Sequence, residues 1–596
     1  MTLPRAAWRC ASIACALALP AAVGNASAAS RIDGLIVRLH DAPAHADLAA
    51  ETRLRPLAAR EQERWQAVID GAGLGMRSGR PASQRRAVGR DQWRLGFGTG
   101  LTAAEARQLA ERLRQRPEVA WVEPDTREPL AQAAPTDPLY AQQWWLLPVA
   151  GTNANALADR RRGVPGFLGA WTTGLAGATG RPAAIVAVLD TGTTVHPDLA
   201  GRYLPGYDFV SESVYGNDGN GRDADPSDPG DWLTTAELAD PAFAGCEATD
   251  STWHGTLIAG LVAAVSDNGI GGAGANRDGR ILPVRVAGKC GAALSDIVDG
   301  MRWAAGLAVA GVPPNANPAR IVNISFGGTS VCGPTYQAAV DELRAIGVVV
   351  VAAAGNAHAA EVTRPASCSG AIGVAALNRD GFKTTYSNFG AALAASGIAT
   401  VGGDDPGGRW GILLSDGGLL TAHNAGLRGP GAADYAGLYG TSFSAPLVAG
   451  ALSLMLSVNP ALTADELAAG LRLSARPHAT SPRIGVCSEA NPGRCICTTA
   501  TCGVGMLDAE QALRFAAAPQ AYVPPPRAGE VIDNAEVVQA AALGPDRGTA
   551  AVPGDGGATD TGGSAAPSGG GGGAAGSWPW LAGLLAAVVL LRRLRR

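Results

Sequence analysis

Two uninterrupted apolar runs constrain the fold of this 596-residue chain more than any other feature: Ile185-Val186-Ala187-Val188-Leu189 and Val348-Val349-Val350-Val351-Ala352-Ala353-Ala354. A strand with one wet face alternates apolar and polar residues. A strand covered on both faces reads as a continuous apolar run, the pattern of a parallel sheet between helix layers. The first run delivers Asp190 at its carboxyl end, and the second delivers Gly355-Asn356. Sites in open α/β sheets lie at the carboxyl ends of strands, so the expected class is α/β with chemistry at this end of the sheet.

Two further segments carry reactive side chains. His254-Gly255-Thr256 opens the run His-Gly-Thr-Leu-Ile-Ala-Gly-Leu-Val-Ala-Ala, whose small and apolar residues suit a closely packed helix. Gly440-Thr441-Ser442-Phe443-Ser444-Ala445-Pro446 opens another, with Pro446 in the first turn where a missing N–H costs nothing. The start of that helix favours negative charge developing near Ser442. A serine hydroxyl is protonated at neutral pH and needs an imidazole to take its proton, and the imidazole needs a fixed anion to set its tautomer. Ser442, His254 and Asp190 supply those parts. The Asn356 amide is the donor that a tetrahedral oxyanion requires.

With Asp190-Thr191-Gly192, His254-Gly255-Thr256, Asn356 and Gly440 to Pro446 in this order, residues 135 to 515 resemble the subtilisin-like serine endopeptidases. The resemblance implies a three-layer fold with a doubly wound, mostly parallel sheet. It makes Asp190 the orienting carboxylate, His254 the base, Ser442 rather than Ser444 the nucleophile, and Asn356 the oxyanion donor alongside the Ser442 backbone N–H. The family commonly has a second histidine where Leu257 stands, a position outside the triad. Ser325-Phe326-Gly327, within Asn323 to Gly328, resembles the edge segment that pairs with an extended substrate and walls its first pocket. Ala353 and Gly355 belong to the opposite wall, and Gly291-Ala292-Ala293-Leu294 is a further flanking segment. These side chains are small and neutral, and Ala357 offers no carboxylate, so apolar or aromatic residues are expected before the scissile bond. No catalytic cofactor is implied. A chain lacking any of the four reactive residues would instead read as a peptide-binding or adhesion protein on the same fold.

The N-terminus carries an export address: Arg5 and Arg9, an apolar run from Ala11 to Val23, then Ala26-Ser27-Ala28. Residues 1–28 are the expected signal peptide. Cys10 and Cys15 leave with it, and Cys246, Cys290, Cys332, Cys368, Cys487, Cys495, Cys497 and Cys502 remain. An even number in an exported chain favours disulfides, although eight cysteines allow about 105 pairings. Resemblance to disulfide-bearing bacterial members implies Cys246 with Cys290, Cys332 with Cys368, and the last four among themselves. Cys495 and Cys497 are spaced closely enough to suggest zinc, but no histidine lies nearby.

Residues 29–133 read as a separate α+β unit. Leu35, Val37 and Leu39 alternate as in a strand, Thr102-Ala103-Ala104-Glu105 has the capping-box pattern of a helix running toward Arg116, and Val119 to Asp125 reads as another strand. This resembles the family's propeptide, an intramolecular inhibitor and folding aid. Pro135 to Trp144 resembles a mature N-terminus, which puts the cut between 130 and 136 and the peptidase domain at 134–517.

Between Asp190 and His254 an insertion contains Asp218, Asp223, Asp225 and Asp228 in a glycine-rich stretch, a donor set suited to calcium. Asp267-Asn268-Gly269-Ile270-Gly271 resembles a calcium loop of some family members. Residues 518–577 are rich in Pro, Gly, Ala and Ser and are expected to be a flexible linker. Trp578 to Leu591 followed by Arg592, Arg593, Arg595 and Arg596 makes an apolar segment with a positive-inside end. At about 14 residues it is short for a permanent span. The 578–596 tail resembles the glycine-preceded sorting signals of some Gram-negative exported proteins, implying transient membrane anchoring and a sorting protease as partner. The expected location is extracellular or on the cell surface. Net charge is −4 with a pI near 6.0, which gives no electrostatic reason for a nucleic-acid partner.

Overall fold

The structure, a computed structural model, describes residues 32–40, 59–74, 84–88, 92–101, 103–125, 134–149, 161–175, 184–404, 410 and 416–546. The expected signal peptide, the basic tail and residues 547–577 of the expected linker lie outside them. The chain divides into two compact units, Met1–Leu130 and Ala131–Arg596.

In the first unit, strand Ile32–Leu39 lies between Gln92–Leu101 and Val119–Asp125, antiparallel to both, and Gln84–Ala87 forms an edge. Helices Ala59–Gly71 and Ala103–Arg114 supply the rest. Leu35, Val37 and Leu39 are buried with Trp65, Val68, Leu95, Phe97, Leu109, Leu113 and Val122. The strand read from its alternation and the second helix therefore share one core. Thr102 of the capping box lies outside the described residues.

The second unit is built on a seven-stranded parallel sheet in the spatial order Ile398–Val401, Ile372–Leu377, Val349–Ala353, Ile321–Ile324, Ile185–Asp190, Arg280–Arg285, Tyr207–Asp208. From Ile185–Asp190 the chain goes to the edge strand Tyr207–Asp208, returns to fill the gap with Arg280–Arg285, then crosses over and builds outward on the other side, so the order reverses between Ile185–Asp190 and Ile321–Ile324. Alternate residues go to opposite faces. Val186 and Val188 join Val349, Val351 and the helices His254–Ala263 and Thr441–Val458 on one face; Ala187 and Leu189 join Val284, Val350 and the helices Leu294–Ala304 and Pro334–Ala345 on the other. Both apolar runs are thus covered on both sides, which is why neither alternates. All ten residues of His254–Ala263 are buried. Thr441–Val458 is long and apolar enough to cross a membrane but is a core helix here; Pro446, expected in its first turn, lies inside it, and the Ser442 carbonyl that its missing N–H leaves free accepts the Ser325 hydroxyl instead.

The four disulfides are Cys246–Cys290, Cys332–Cys368, Cys487–Cys495 and Cys497–Cys502. The sulfurs of Cys487, Cys497 and Cys502 cluster closely, but each is already bonded to another sulfur, which leaves no thiolate for zinc.

The start of the expected linker needs correction. Residues 518–546 belong to the folded body: Ile532 N–H donates to Thr480 O and Thr480 N–H to Glu530 O, and Arg527 pairs with Asp508 at 2.8 Å. Helix Ala535–Ala542 is capped by Asn534. Ile532, Val537 and Ala540 complete a satellite core with Phe382, Trp410, Ala479, Ile484 and Ile496. Proline- and alanine-rich composition hid a short capped helix with an apolar face.

Candidate active site

The sheet order reverses beside the strand that ends in Asp190, opening a crevice at its carboxyl end. Asp190 is buried there, and both its oxygens lie within hydrogen-bond reach of His254 Nδ1, at 2.8 and 2.9 Å. The backbone N–H of Thr191 donates to Asp190 Oδ1 at 2.8 Å and fixes the carboxylate plane. His254 is the first residue of its helix, and the preceding Trp253 takes a left-handed φ of 53° with its indole N–H donating to Gly426 O. A non-glycine residue in that region stores strain and is held by its surroundings. The His254 ring meets Phe443 edge-on, with centroids 6.1 Å apart, which brings the imidazole to the start of the Ser442 helix. His254 Nε2 has no hydrogen-bond partner among the described residues. Burial opposes the imidazolium, but the charge and hydrogen bond of Asp190, helped by Asp231 and Asp228, outweigh it and raise the His254 pKa.

Ser442 is the second residue of Thr441–Val458, so its N–H is one of those left free at a helix start. Asn356 Oδ1 accepts the Thr441 N–H and hydroxyl, which leaves the Asn356 NH₂ as the donor beside Gly440 and Ser442. Ser444 is buried in the same helix with its hydroxyl toward Thr400 O at 3.3 Å. The four reactive residues named from sequence are therefore brought together, with Ser444 turned into the core.

The two pocket walls are also adjacent, but their side chains are arranged differently from expectation. Ser325 is fully buried and donates to the carbonyl of Ser442 at 2.8 Å. Phe326 packs on the opposite face of the sheet, and Ala353 faces the helix-side core. Ser325 and Ala353 are thus turned into the body and Phe326 is half-buried, which leaves backbone and glycine along both expected walls. A methyl group placed on Gly327 or on Gly355 would lie 3.4 or 3.2 Å from the same atom, Thr363 Oγ1, which is buried without a partner. Thr363 thus lies between the walls. The Arg364 guanidinium lies against Gly328 and over Tyr336. Asn388 braces the Asn356 turn by accepting the N–H groups of Ala357 and Ala359 at 2.8 and 3.1 Å. Sequence reasoning missed Thr363, Arg364 and Asn388; no local motif announces them. Gly291–Ala292 forms a small hairpin with Ala287–Gly288, tied through Cys290 to the insertion.

Among the described residues the aspartates of the insertion are engaged with other partners. Asp218 pairs with Arg285, Asp223 accepts Asn220 Nδ2 at 2.6 Å and Asp225 N–H at 2.7 Å, and Asp225 accepts Ser227 N–H at 3.0 Å. Asp228 is buried elsewhere, against Thr191. Among the described residues no three carboxylate, His or Cys donors of this stretch converge at metal distance. The acidic density instead serves an arginine and a series of turns. At the second loop Asp267 turns outward to Arg277. Two buried carboxylates from elsewhere lie behind it: Asp137 accepts the N–H groups of Asp267 and Asn268, and Asp198 accepts Asn268 Nδ2 at 2.8 Å and Gly272 N–H at 3.0 Å. Burial raises the pKa of both. A calcium ion, which takes about six to eight oxygen ligands, would use these two carboxylates by displacing the N–H donors they accept.

The subtilase family model matches residues 182–501. The chain is 38% identical over 418 residues to an extracellular protease of Xanthomonas campestris, covering 70% of this chain and 63% of that one. It is 37% identical to an extracellular basic protease of Dichelobacter nodosus, covering 62% and 58% respectively. It therefore spans about three fifths of the length of these two relatives. Subtilisin BL of Lederbergia lenta is 31% identical, with 46% of this chain and 77% of that one covered. A solved protease from Pseudoalteromonas arctica is similar with a TM-score of 0.52 and 36% identity, over 64% of this chain and all of that one.

Proposed function

Because this chain belongs to the subtilase family, we propose that it is an exported serine endopeptidase acting through an acyl-enzyme. The observation that carries this reading is the buried Asp190–His254 pair, 2.8 Å apart, at the head of the Ser442 helix. Ser442 Oγ attacks the scissile carbonyl while its proton passes to His254 Nε2. The Asn356 amide and the Ser442 N–H receive the oxyanion, and the carbon–nitrogen bond breaks as His254 returns the proton to the leaving amine. Water then repeats the sequence on the acyl-enzyme and regenerates Ser442.

Large apolar or aromatic residues fit the position before the scissile bond, since the walls are backbone, Gly327 and Gly355, with Thr363 between them. The Arg364 guanidinium near this slot disfavours lysine or arginine there. Residues 29–133 act as an inhibitory propeptide, removed by Ser442 itself near residue 134. Residues 578–596 sort the protein through the inner membrane. Calcium is held at the loop following Ser266 by Asp137, Asp198 and Asn268, where it braces the fold and takes no part in the reaction.

Maturation tests this reading, since it joins nucleophile and propeptide in one step. In a protease-deficient host, Ser442→Ala is expected to remain an uncut precursor by intact mass, while Ser444→Ala is processed. Normal processing of Ser442→Ala overturns self-maturation. Failure of the wild-type protein to react with a serine-directed titrant overturns the peptidase reading.

A further inference from the structure

We propose that Asp228 is a positioning residue of the Asp190–His254 pair, acting through the hydroxyl of Thr191; the inference rests on the peptidase reading above. Asp228 is 2% exposed and makes no contact with the reacting atoms. Its Oδ2 accepts the Thr191 hydroxyl at 2.6 Å, and its Oδ1 accepts the Gly230 N–H at 2.8 Å. The Thr191 hydroxyl accepts in turn from the backbone N–H of Gly255 at 3.1 Å. Thr191 directly follows Asp190, and Gly255 directly follows His254. One hydroxyl therefore joins the two chain segments that carry the pair.

A hydroxyl has one proton and a free torsion. Asp228 takes that proton and so orients a lone pair toward Gly255. The backbone holds Asp228 in place: its N–H donates to Thr193 O at 2.9 Å, and Thr193 N–H donates to Pro226 O at 3.1 Å. The three segments approach as closely as backbone allows. A methyl group on Gly255 would lie 2.0 Å from Gly192 O, and one on Gly192, whose φ is 107°, would lie 2.6 Å from Pro226 O. Without its acceptor the Thr191 hydroxyl is free to turn, and the register between strand end and helix start loses its fastening. Burial pushes the Asp228 carboxyl up to about 7, with the charge of Asp231 adding to it. An asparagine here keeps one oxygen for the Thr191 hydroxyl but turns its NH₂ against the Gly230 N–H, which Asp228 accepts with its other oxygen.

The test is steady-state kinetics on the full exported chain, with rates normalised to active sites counted by a serine-directed titrant. Asp228→Ala and Thr191→Val are each expected to lower kcat about ten- to a hundredfold with KM changed less than about twofold, the signature of misplacement rather than lost binding. The double variant is expected to be no slower than either single one, because both remove the same link. Thr191→Ser is expected to restore most of the rate, and Asp228→Asn part of it, since its one oxygen keeps the Thr191 hydroxyl but loses the Gly230 N–H. Additive losses, an Asp228→Asn as slow as Asp228→Ala, or a kcat equal to wild type overturns the proposal. If Asp228→Ala does not fold, the Thr191→Val and Thr191→Ser comparison decides: a large difference supports the link and equal rates overturn it. A wild-type protein with no titratable serine removes the peptidase reading and this one together; a titrated wild type with insensitive variants removes this one alone.

Discussion

The side-chain oxygen of Asn356 accepts two hydrogen bonds from Thr441, one from the backbone N–H at 2.9 Å and one from the hydroxyl at 2.8 Å. Both lone-pair directions of that oxygen are thereby used, and the amide cannot flip without losing both. The NH₂ group is fixed as the face presented beside Ser442.

Asn356→Ala is therefore expected to lower kcat by about two to three orders of magnitude with KM little changed, a range carried over from a subtilisin. Thr441→Val, which keeps the donor but loosens it, is expected to cost about tenfold. Initial-rate measurements on a peptide anilide check both; a rise in KM at constant kcat contradicts the assignment.

The raised pKa of His254 has opposite consequences for rate and stability. The base must be unprotonated, so kcat/KM is expected to rise with pH through an inflection above the ordinary histidine value of 6.5. The protonated pair contributes stability that is complete below the unfolded-state pKa and is lost as pH climbs through the folded-state value. Asp190→Asn removes the anion and is expected to move the inflection down. A pH–rate profile with its acid limb at or below 6.5 in the wild type contradicts this account.

Calcium is expected to act at Asp137 and Asp198 and not at the insertion. In the Ser442→Ala background, which excludes autolysis, chelation is expected to lower Tm. Asp198→Ala should abolish that difference, whereas Asp223→Ala and Asp225→Ala should preserve it. An unchanged Tm after chelation removes structural calcium from the picture.

Truncation distinguishes the folded C-terminal segment from the chain beyond Asp546. Ending the chain after Ala517 strips Ile532, Val537 and Ala540 from Phe382 and Trp410. It is expected to lower the Tm of the Ser442→Ala protein by about 5 °C or more, since each large aliphatic side chain contributes about 1.5–3 kcal/mol. Ending it after Asp546 is expected to leave Tm within about 1 °C of the full chain. Equal melting of the two truncations contradicts a structural role for residues 518–546.

What could be read from sequence divides along a physical line. Asp190, His254, Asn356 and Ser442 were legible because each sits at a strand end or helix start, where a few consecutive residues determine both conformation and chemistry. Thr363, Asn388, Asp137 and Asp198 were not, because their roles arise from partners remote in sequence: Asp137 meets Asn268 across 131 positions and Asn388 meets Ala357 across 31. The partners of the insertion were hidden for the same reason, since Asp218 meets Arg285, 67 positions on. The segments holding Ser325 and Ala353 could be named from motifs, but a motif does not say which way a side chain turns. The segment after residue 518 was misread because composition averages over a helix of eight residues.

If the chain is the peptidase proposed above, its own outer loops are among the bonds within its reach. The two short bridges, Cys487–Cys495 and Cys497–Cys502, close rings spanning only 8 and 5 positions. A cut inside either ring adds one water and creates two new ends, yet the sulfur bond keeps those ends in one piece and in register. The corner that carries residues 518–546 against the main body can thus be nicked without being shed. Self-digestion there registers as a change in mass before it registers as a loss of enzyme.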